Sequence, residues 1–162
     1  MSSGNEGGRS IANSYAYCFR KHLVADYTNG NIYQLDDDTY TENGSEIIRL
    51  RDAAPIHGGL FKGASYGVPL TMNRLEITLE VGTGLLSGQG SNPFIMVSFS
   101  DDGGHTFSSE IWGEIGGFGE FQQKVEFWNL GSFVSRIIRI RTSDPVHYSI
   151  YSASADIDIG IQ

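Results

Sequence analysis

The chain has little of the chemistry that marks disulfide-rich, membrane-spanning or nucleic-acid-binding proteins. Its one cysteine, Cys18, excludes an intramolecular disulfide and a multi-cysteine zinc site. Apolar runs are only a few residues long, and residues 1–10 lack the apolar segment of a signal peptide, so we expect no membrane association. Eleven Lys and Arg stand against nineteen Asp and Glu, and this net charge of -8 argues against binding DNA or anionic lipid through bulk charge.

The composition and hydrophobic pattern predict an all-β protein with one core. The 162 residues are 40% hydrophobic and include 21 glycines, with few helix-forming stretches. Residues 70–81 alternate, which predicts a strand with one buried face and one solvated face. The buried side is expected to carry Leu75, Ile77, Leu79 and Val81. Further strands are expected at 32–36, 46–51, 94–100, 110–115, 121–128, 136–142 and 146–159. Short strands at this spacing indicate a sandwich or a barrel.

Turn signals divide the chain into three segments. Asn29-Gly30 and Asn43-Gly44 stand between strand-like runs, where a tight hairpin needs positive φ, and predict two successive hairpins. Residues 1–14 are small and polar, which is typical of a flexible tail. We therefore expect a tail over 1–14, a hairpin segment over 15–52 and a β-sandwich domain over 53–162.

Two near-copies, EIIRLR (46–51) and RIIRIR (136–141), are expected to bury an apolar pair each, Ile48 with Leu50 and Ile138 with Ile140, and to turn arginines outward. Residues 75–123 contain no Lys or Arg but seven acidic residues. Either the arginines pair with cross-strand carboxylates within the sheet, or oppositely charged faces meet between neighbouring copies of the subunit. The second alternative makes a candidate subunit interface of Arg49, Arg51, Arg139, Arg141, Glu76 and Glu80.

No segment carries a recognisable catalytic, cofactor or metal site. Asp36-Asp37-Asp38 lacks the ligand spacing of a calcium loop and is interpreted as a solvated turn. Asp156 and Asp158 are interpreted as an outward polar face, and the four histidines lack zinc-ligand spacing. The glycine-rich stretch 82–93 lacks the ending of a phosphate-binding loop, and is either a surface loop or an assembly loop that orders on contact. We expect no enzyme activity and no cofactor.

Residues 100–107, SDDGGHTF, resemble the Asp-box, S-x-D-x-G-x-T-[WF]. In such a turn a carboxylate accepts hydrogen bonds from turn amides, glycine adopts positive φ and the aromatic side chain packs underneath. The residues concerned are Ser100, Asp102, Gly104, Thr106 and Phe107. The expected role is structural, because a sialidase needs several such repeats and an arginine cluster on a much longer chain.

Several segments around this motif resemble one protein family. The segments are LEITLEVGTG (75–84), GQGSNP (88–93), FSDDGGHTF (99–107), IGGFGEFQQKVEFWNLG (115–131), RIIRIRTSDPV (136–146) and VADYTNGNIYQLDDDTYTENG (24–44). In this order they resemble the C-terminal part of the packaged-DNA stabilisation proteins, or tail accessory and hub proteins, of short-tailed bacteriophages. The likeness covers about residues 20–158. Members of that family are several hundred residues long, and their larger β-rich N-terminal region has no counterpart here.

The resemblance implies an antiparallel, jelly-roll-like β-sandwich preceded by a pair of β-hairpins. It also implies a structural virion protein, made in the host cytoplasm, that forms a hexameric ring between the portal or adaptor and distal tail proteins and helps retain packaged DNA. DNA would only pass through the channel, and an acidic lumen would let it slide. No catalytic residue is carried over.

Two other function classes compete with this interpretation. A carbohydrate-binding or receptor-binding β-module would use exposed aromatics to stack on sugar rings, whereas the simpler alternative is that these side chains pack in the core or against strands. The aromatics concerned are Tyr66, Trp112, Phe118 and Trp128. An Asp-box hydrolase is the third class.

Overall fold

The computed structural model describes residues 12–42, 44–80, 82, 84–120 and 124–160, and this part of the chain is almost entirely β-structure. Every strand pairing is antiparallel. A short 3-10 turn spans Gly58–Leu60. Within the described residues, no helix is long and apolar enough to cross a membrane. The strands are β1 (Ala12–Cys18), β2 (Lys21–Asp26), β3 (Ile32–Leu35), β4 (Thr41–Glu42), β5 (Ser45–Glu46), β6 (Arg49–Asp52), β7 (Ile56–His57), β8 (Leu70–Leu79), β9 (Phe94–Ser100), β10 (Ile111–Glu114), β11 (Val125–Phe133), β12 (Ser135–Thr142) and β13 (Ile150–Ile159).

Two sheets form the sandwich that the sequence predicts. One has the order β10-β9-β12-β6, with β7 also pairing with β12, and the other has the order β11-β8-β13. From β8 onward the chain changes sheet at every connection except the β9–β10 hairpin, the alternation that a jelly-roll-like sandwich requires. Both sheets contribute to one apolar cluster, whose buried members include Leu75, Ile77, Ile95, Val97, Phe127 and Ile138. Burying each such side chain contributes roughly 1.5–3 kcal/mol.

The alternation predicted for residues 70–81 is present in β8. Leu75, Ile77 and Leu79 are buried, while Val81 lies outside the described residues. Nearer the start of the strand the buried residues are Leu70 and Met72, so the buried positions change from even-numbered to odd-numbered residues before Leu75. The pairings with β11 and β13 are both irregular at this point, which turns the side chains to the other face without ending the strand.

The N-terminal hairpins differ from the prediction in their turns. β2 and β3 form a hairpin around Asn29-Gly30, but the loop covers residues 27–31 and Gly30 does not have positive φ. Asp26 organises this loop, because its carboxylate accepts hydrogen bonds from the backbone and hydroxyl of Thr28 and the amide of Asn29. β4 and β5 pair across the second predicted turn, where Gly44 has φ 81°; Asn43 lies outside the described residues.

An additional hairpin precedes these two. β1 pairs with β2 through a turn at Phe19 and Arg20, which have φ 53° and 61° without a glycine. Because β1 begins at Ala12, the tail predicted over 1–14 is wrong for residues 12–14; residues 1–11 lie outside the described part of the chain. β1, β2 and β3 form a separate three-stranded sheet.

The orientation predicted for residues 46–51 is wrong. β6 pairs with β12 and so belongs to the sandwich, although the sequence places it in the hairpin segment 15–52. Arg51 lies opposite Ile140, and Leu50 lies opposite Arg141, so Leu50 shares the arginine-bearing face and is 38% exposed. An edge strand has neighbours on one side only, so its apolar pattern constrains its orientation weakly. In β12, Ile138 is buried as predicted, and Ile140 is half-buried.

Candidate functional site

The turn after β9 brings the five Asp-box candidates together. Asp102 Oδ1 accepts hydrogen bonds from the backbone N–H groups of His105 and Thr106, both at 2.9 Å, and from Ser100 Oγ at 2.7 Å. The hydroxyl of Thr106 donates to Oδ2 at 2.6 Å, and the Gly104 N–H donates to Ser100 Oγ at 2.8 Å. Gly104 has φ 96°, a conformation that side-chain-bearing residues rarely adopt. The turn thus satisfies its own polar groups.

This hydrogen bonding perturbs the Asp102 carboxyl. The hydroxyl and backbone N–H of Thr106, then the hydroxyl of Ser100, hold the pKa of Asp102 far below its ordinary value, because each bond favours the charged form. The remaining candidate, Phe107, is half-buried and lies under the guanidinium of Arg139, 3.6 Å from its ring centroid. The polar side chains of this turn are therefore engaged in stabilising the turn itself.

Arg136 anchors the same turn to the sandwich, and the sequence interpretation missed it. Its side chain is only 2% exposed, between the rings of Phe99 and Phe133 at 4.0 and 4.3 Å from the two centroids. It donates two hydrogen bonds of 2.7 Å to Asp101 and a third to the carbonyl of Leu130. The alternation of side chains along the strand could have indicated that Arg136 is buried, because residue 136 lies on the same side of the strand as Ile138.

The outward arginines of β12 pair with carboxylates of the same chain. Arg139 donates to both oxygens of Asp52, at 2.7 and 2.9 Å, directly across from it on β6. These hydrogen bonds lower the pKa of Asp52. Arg141 binds Glu110 at 2.8 Å. Cross-strand pairing within the sheet, the first of the two alternatives, accordingly occurs for Arg139, whereas Arg141 pairs with a carboxylate that directly precedes β10.

The two arginines of β6 have different surroundings. Arg49 lies between the rings of Tyr40 and Tyr148, 5.4 Å from each centroid, and donates to the carbonyls of Asp144 and Val146 at 3.2 Å. Burial raises the pKa of the Tyr148 hydroxyl. Arg51 is exposed. Arg49 therefore fastens the segment before β13 to β6, whereas Arg51 is the arginine of this set that faces solvent.

A second charged cluster covers the outer face of the β11-β8-β13 sheet. Arg74 binds Asp156 at 2.8 Å, Glu76 at 3.1 Å and Glu126 at 3.2 Å, and its guanidinium lies 5.5 Å from the centroid of Trp128. The hydrogen bond that Arg74 donates to Asp156 is the main reason that the pKa of Arg74 is raised. One cation thus neutralises part of a surface with three carboxylates.

The acidic candidates for a subunit interface are also engaged within the chain. Glu76 binds Arg74, and Glu80 lies 3.1 Å from His147. Of the six candidates, Arg49 and Arg51 form no ion pair with the described residues, and Arg49 donates to backbone carbonyls instead. A role for these six in contacts between copies stays a prediction.

The four aromatics considered for sugar stacking are on the surface, not in the core. The exposed fractions are 57% for Tyr66, 61% for Trp112, 67% for Phe118 and 58% for Trp128. Of the alternative to sugar stacking, the part that places these side chains in the core is therefore wrong for all four, while packing against strands is not excluded by their exposure. Trp112 contacts the ring of Phe94, with 5.6 Å between centroids.

The other polar candidates form local contacts. Asp36 accepts hydrogen bonds from the backbone N–H of Asp38 and the hydroxyl of Thr39, as in a solvated turn. Asp158 accepts a hydrogen bond from the side chain of Asn73. Among the residues that the structure describes, no group of three or more His, Cys, Asp or Glu is arranged to hold a metal ion. In the glycine-rich stretch, Leu85 donates its backbone hydrogen bond to Gly90.

Comparison with known proteins supplies the family. A family model described as the β-sandwich of bacteriophage P22 Gp10 matches residues 64–158, which include β8 to β12 and all but the last residue of β13. No curated protein matches the chain. The match covers more than half of the chain, and it coincides with the part that forms the two-sheet core. The chain belongs to the bacteriophage P22 Gp10 β-sandwich family, a phage tail-related family of structural proteins.

Proposed function

We propose that this protein is a tail hub component of a phage virion. In this proposal, copies of the chain form a closed, hexameric ring between the portal or adaptor and the distal tail proteins, and the ring helps retain packaged DNA. The family match supports a role in the phage tail, and the resemblance of residues 24–44 and 75–146 to tail hub proteins supports the finer assignment.

The observation that carries the proposal is the exposed apolar surface of the N-terminal sheet in the described part of the chain. Phe19 at its first turn is 90% exposed, and Tyr15 and Tyr17 on one face and Ile32 on the other are each more than half exposed. A three-stranded sheet with this much apolar surface is costly to leave in water, and contiguous exposed apolar patches mark interaction sites. The sheet is better suited to a protein that works in contact with neighbours than to one that works alone.

The charge distribution supports a channel through which DNA passes without being held. The net charge is -8, and two of the outward arginines, Arg139 and Arg141, bind carboxylates of the same chain. Like-charged surfaces repel, so an acidic lumen would keep DNA mobile. A lumen lined by unpaired arginines would contradict this part of the proposal.

Sedimentation velocity tests the assembly. We expect a single species that is a multiple of the 17.7 kDa chain, and we expect Tyr15→Ser with Phe19→Ser to shift it towards the monomer. Tyr66→Ser, which removes an equally exposed aromatic from the other part of the molecule, is the control. A protein that stays monomeric over the accessible concentration range would refute ring formation.

Glycan or receptor binding is the second candidate, and the exposure of Trp128 favours it. This indole lies on a polar sheet face beside Arg74 and Asp156, a combination of a stacking surface and hydrogen-bonding groups that suits a sugar ring. The chain has two tryptophans, so Trp112→Phe leaves Trp128 as the only indole reporter. Saturable fluorescence changes with cell-surface oligosaccharides, on a monomeric protein, would favour this candidate over the tail hub.

A further inference from the structure

Among the residues that the structure describes, the last strand of the sandwich forms a long sheet edge with no strand beside it. β13 has ten residues and, within the described part of the chain, pairs only with β8. Ala153 and Ala155 lie opposite Ile77 and Leu75, so they are on the core side of the sheet, yet both are exposed. The strand therefore presents a row of backbone donors and acceptors next to a shallow, small-residue surface.

The first strand, β1, is also a sheet edge, and its side chains complement those of β13. β1 is the edge of the N-terminal sheet, with seven residues, and its pairing within the described residues is to β2. Tyr15 and Tyr17 project from one face and are 59% and 61% exposed. The opposite face carries small residues, Ser14 and Ala16. A basic turn follows at Arg20 and Lys21, both exposed.

We propose that β1 of one copy adds to the free edge of β13 of the next copy, as a parallel strand with Ser14 beside Ser152. This inference rests on the proposed ring and names the contact that builds it. In this register the two tyrosines lie beside Ala153 and Ala155, so large side chains fill the surface that small ones leave open. The same register places the end of β1 beside Asp156 and brings the basic turn that follows it near Asp158.

The charges determine the orientation. β13 is acidic towards its end, with Asp156 and Asp158, and the basic turn lies at the end of β1. Parallel strands place these ends together, whereas antiparallel strands would place the basic turn beside Ile150 and Tyr151. Backbone hydrogen bonds would supply affinity, and the alternation of large and small side chains would fix the register.

The two edges belong to different parts of the molecule, which makes the contact head-to-tail. A contact between two different patches leaves one free patch of each kind on every dimer, so addition continues until the rotation closes a ring. A contact of β13 with β13 would instead stop at a dimer. The pairing is therefore the kind of interface that a ring requires.

Cysteine cross-linking between differently marked copies tests the pairing. In a Cys18→Ser background, one batch of the full chain carries Ser14→Cys and another carries Ser152→Cys. Ser14 and Ser152 are both exposed. Neighbouring strands lie about 5 Å apart, within the range that a disulfide spans. We expect a covalent dimer when the two batches are mixed and oxidised.

The matched control is Thr78→Cys, because Thr78 is exposed and lies directly opposite Ser152 on β8. In the proposed contact it lies about 10 Å from position 14, beyond disulfide reach, so its mixture with the Ser14→Cys batch should give no dimer. Absence of a dimer in the first mixture, with an oligomer still seen by sedimentation, would overturn the pairing but leave the ring. A monomer in sedimentation would overturn both.

Discussion

Arg136 and Asp101 form a two-pronged ion pair that fixes the Asp-box turn to the core of the sandwich. Both hydrogen bonds measure 2.7 Å, and the guanidinium is held between Phe99 and Phe133. A buried guanidinium is tolerated only when its charge and its donors are satisfied. Asp101 satisfies the charge, and the carbonyl of Leu130 accepts a further hydrogen bond. The exposed loop that carries Asp101 is thereby fastened to the folded core.

Removing the acidic partner should therefore be costly. Asp101→Asn leaves the Arg136 guanidinium buried without its counter-charge, and we expect the free energy of unfolding to fall by about 3 kcal/mol. Asp52→Asn removes a geometrically similar pair from the more exposed Arg139 and should cost less than about 1 kcal/mol. Urea denaturation measures both. Equal losses would show that burial of Arg136 does not govern the energy of the pair.

Acid should weaken the fold partly through Asp102. Its pKa is depressed in the folded protein from an ordinary value of 3.8, so its contribution to stability is full well above pH 3.8 and is lost as pH falls below that value towards the folded pKa. The pKa of Asp26 is depressed mainly by the Thr28 hydroxyl and acts in the same direction. We expect Asp102→Asn to remove part of the acid-induced loss of stability seen in urea titrations.

A direct NMR titration of the Asp102 carboxyl carbon checks the cause. The resonance should remain that of the carboxylate down to pH values well below 3.8. Thr106→Val, which removes the hydroxyl that contributes most, should bring the titration back towards the ordinary range. A carboxyl that titrates normally in the wild-type protein would contradict the hydrogen-bonded turn.

Arg74 should stabilise the outer sheet face through charge. Arg74→Ala leaves Glu76, Glu126 and Asp156 close together without their cation, so we expect a lower urea midpoint at pH 7 and partial recovery at high salt, where the carboxylates are screened. Arg51→Ala changes the net charge equally at an exposed position and should have little effect. A loss for Arg74→Ala that is no greater than that for Arg51→Ala would exclude the cluster as a stabilising unit.

Gly113 should resist substitution because β10 packs closely on the opposite sheet. A Cβ at this position would lie 2.8 Å from Cζ of Phe127 and 2.9 Å from Cγ1 of Val125. We expect Gly113→Ala to destabilise the protein by about 1–3 kcal/mol through overpacking. Gly67→Ala, where a Cβ has no neighbour within 4 Å, is the control. Thermal unfolding of the two variants compares them, and a neutral Gly113→Ala would mean that the sheets separate easily at this point.

The sequence predicted those features in which local pattern and global fold agree. The alternation around Leu75 and Ile77 identified the central strand of one sheet, because its two faces meet core and solvent. β6 was misread because its pattern is short and pairing with β12 decides its orientation. The turn at Phe19 and Arg20 had no glycine to reveal it.

The candidate sites show the same division. The polar residues of the turn at 100–107 interact with near neighbours in the chain, so their spacing alone indicates their geometry. The pairs of Arg136 with Asp101 and of Arg139 with Asp52 join residues far apart in sequence, and only the folded sheet brings them together. The exposure of Trp128 likewise depends on the folded sheet. The pairing of β11 with β8 is irregular directly after this residue, and that irregularity decides which side chains of the strand face solvent.

Electron microscopy of the purified protein shows directly how its copies are arranged. We expect closed rings of identical subunits in which β1 of each copy lies along β13 of its neighbour and carboxylates line the lumen. A field of single 17.7 kDa particles, or a ring whose lumen is lined by Arg49, Arg51, Arg139 and Arg141, would contradict this expectation.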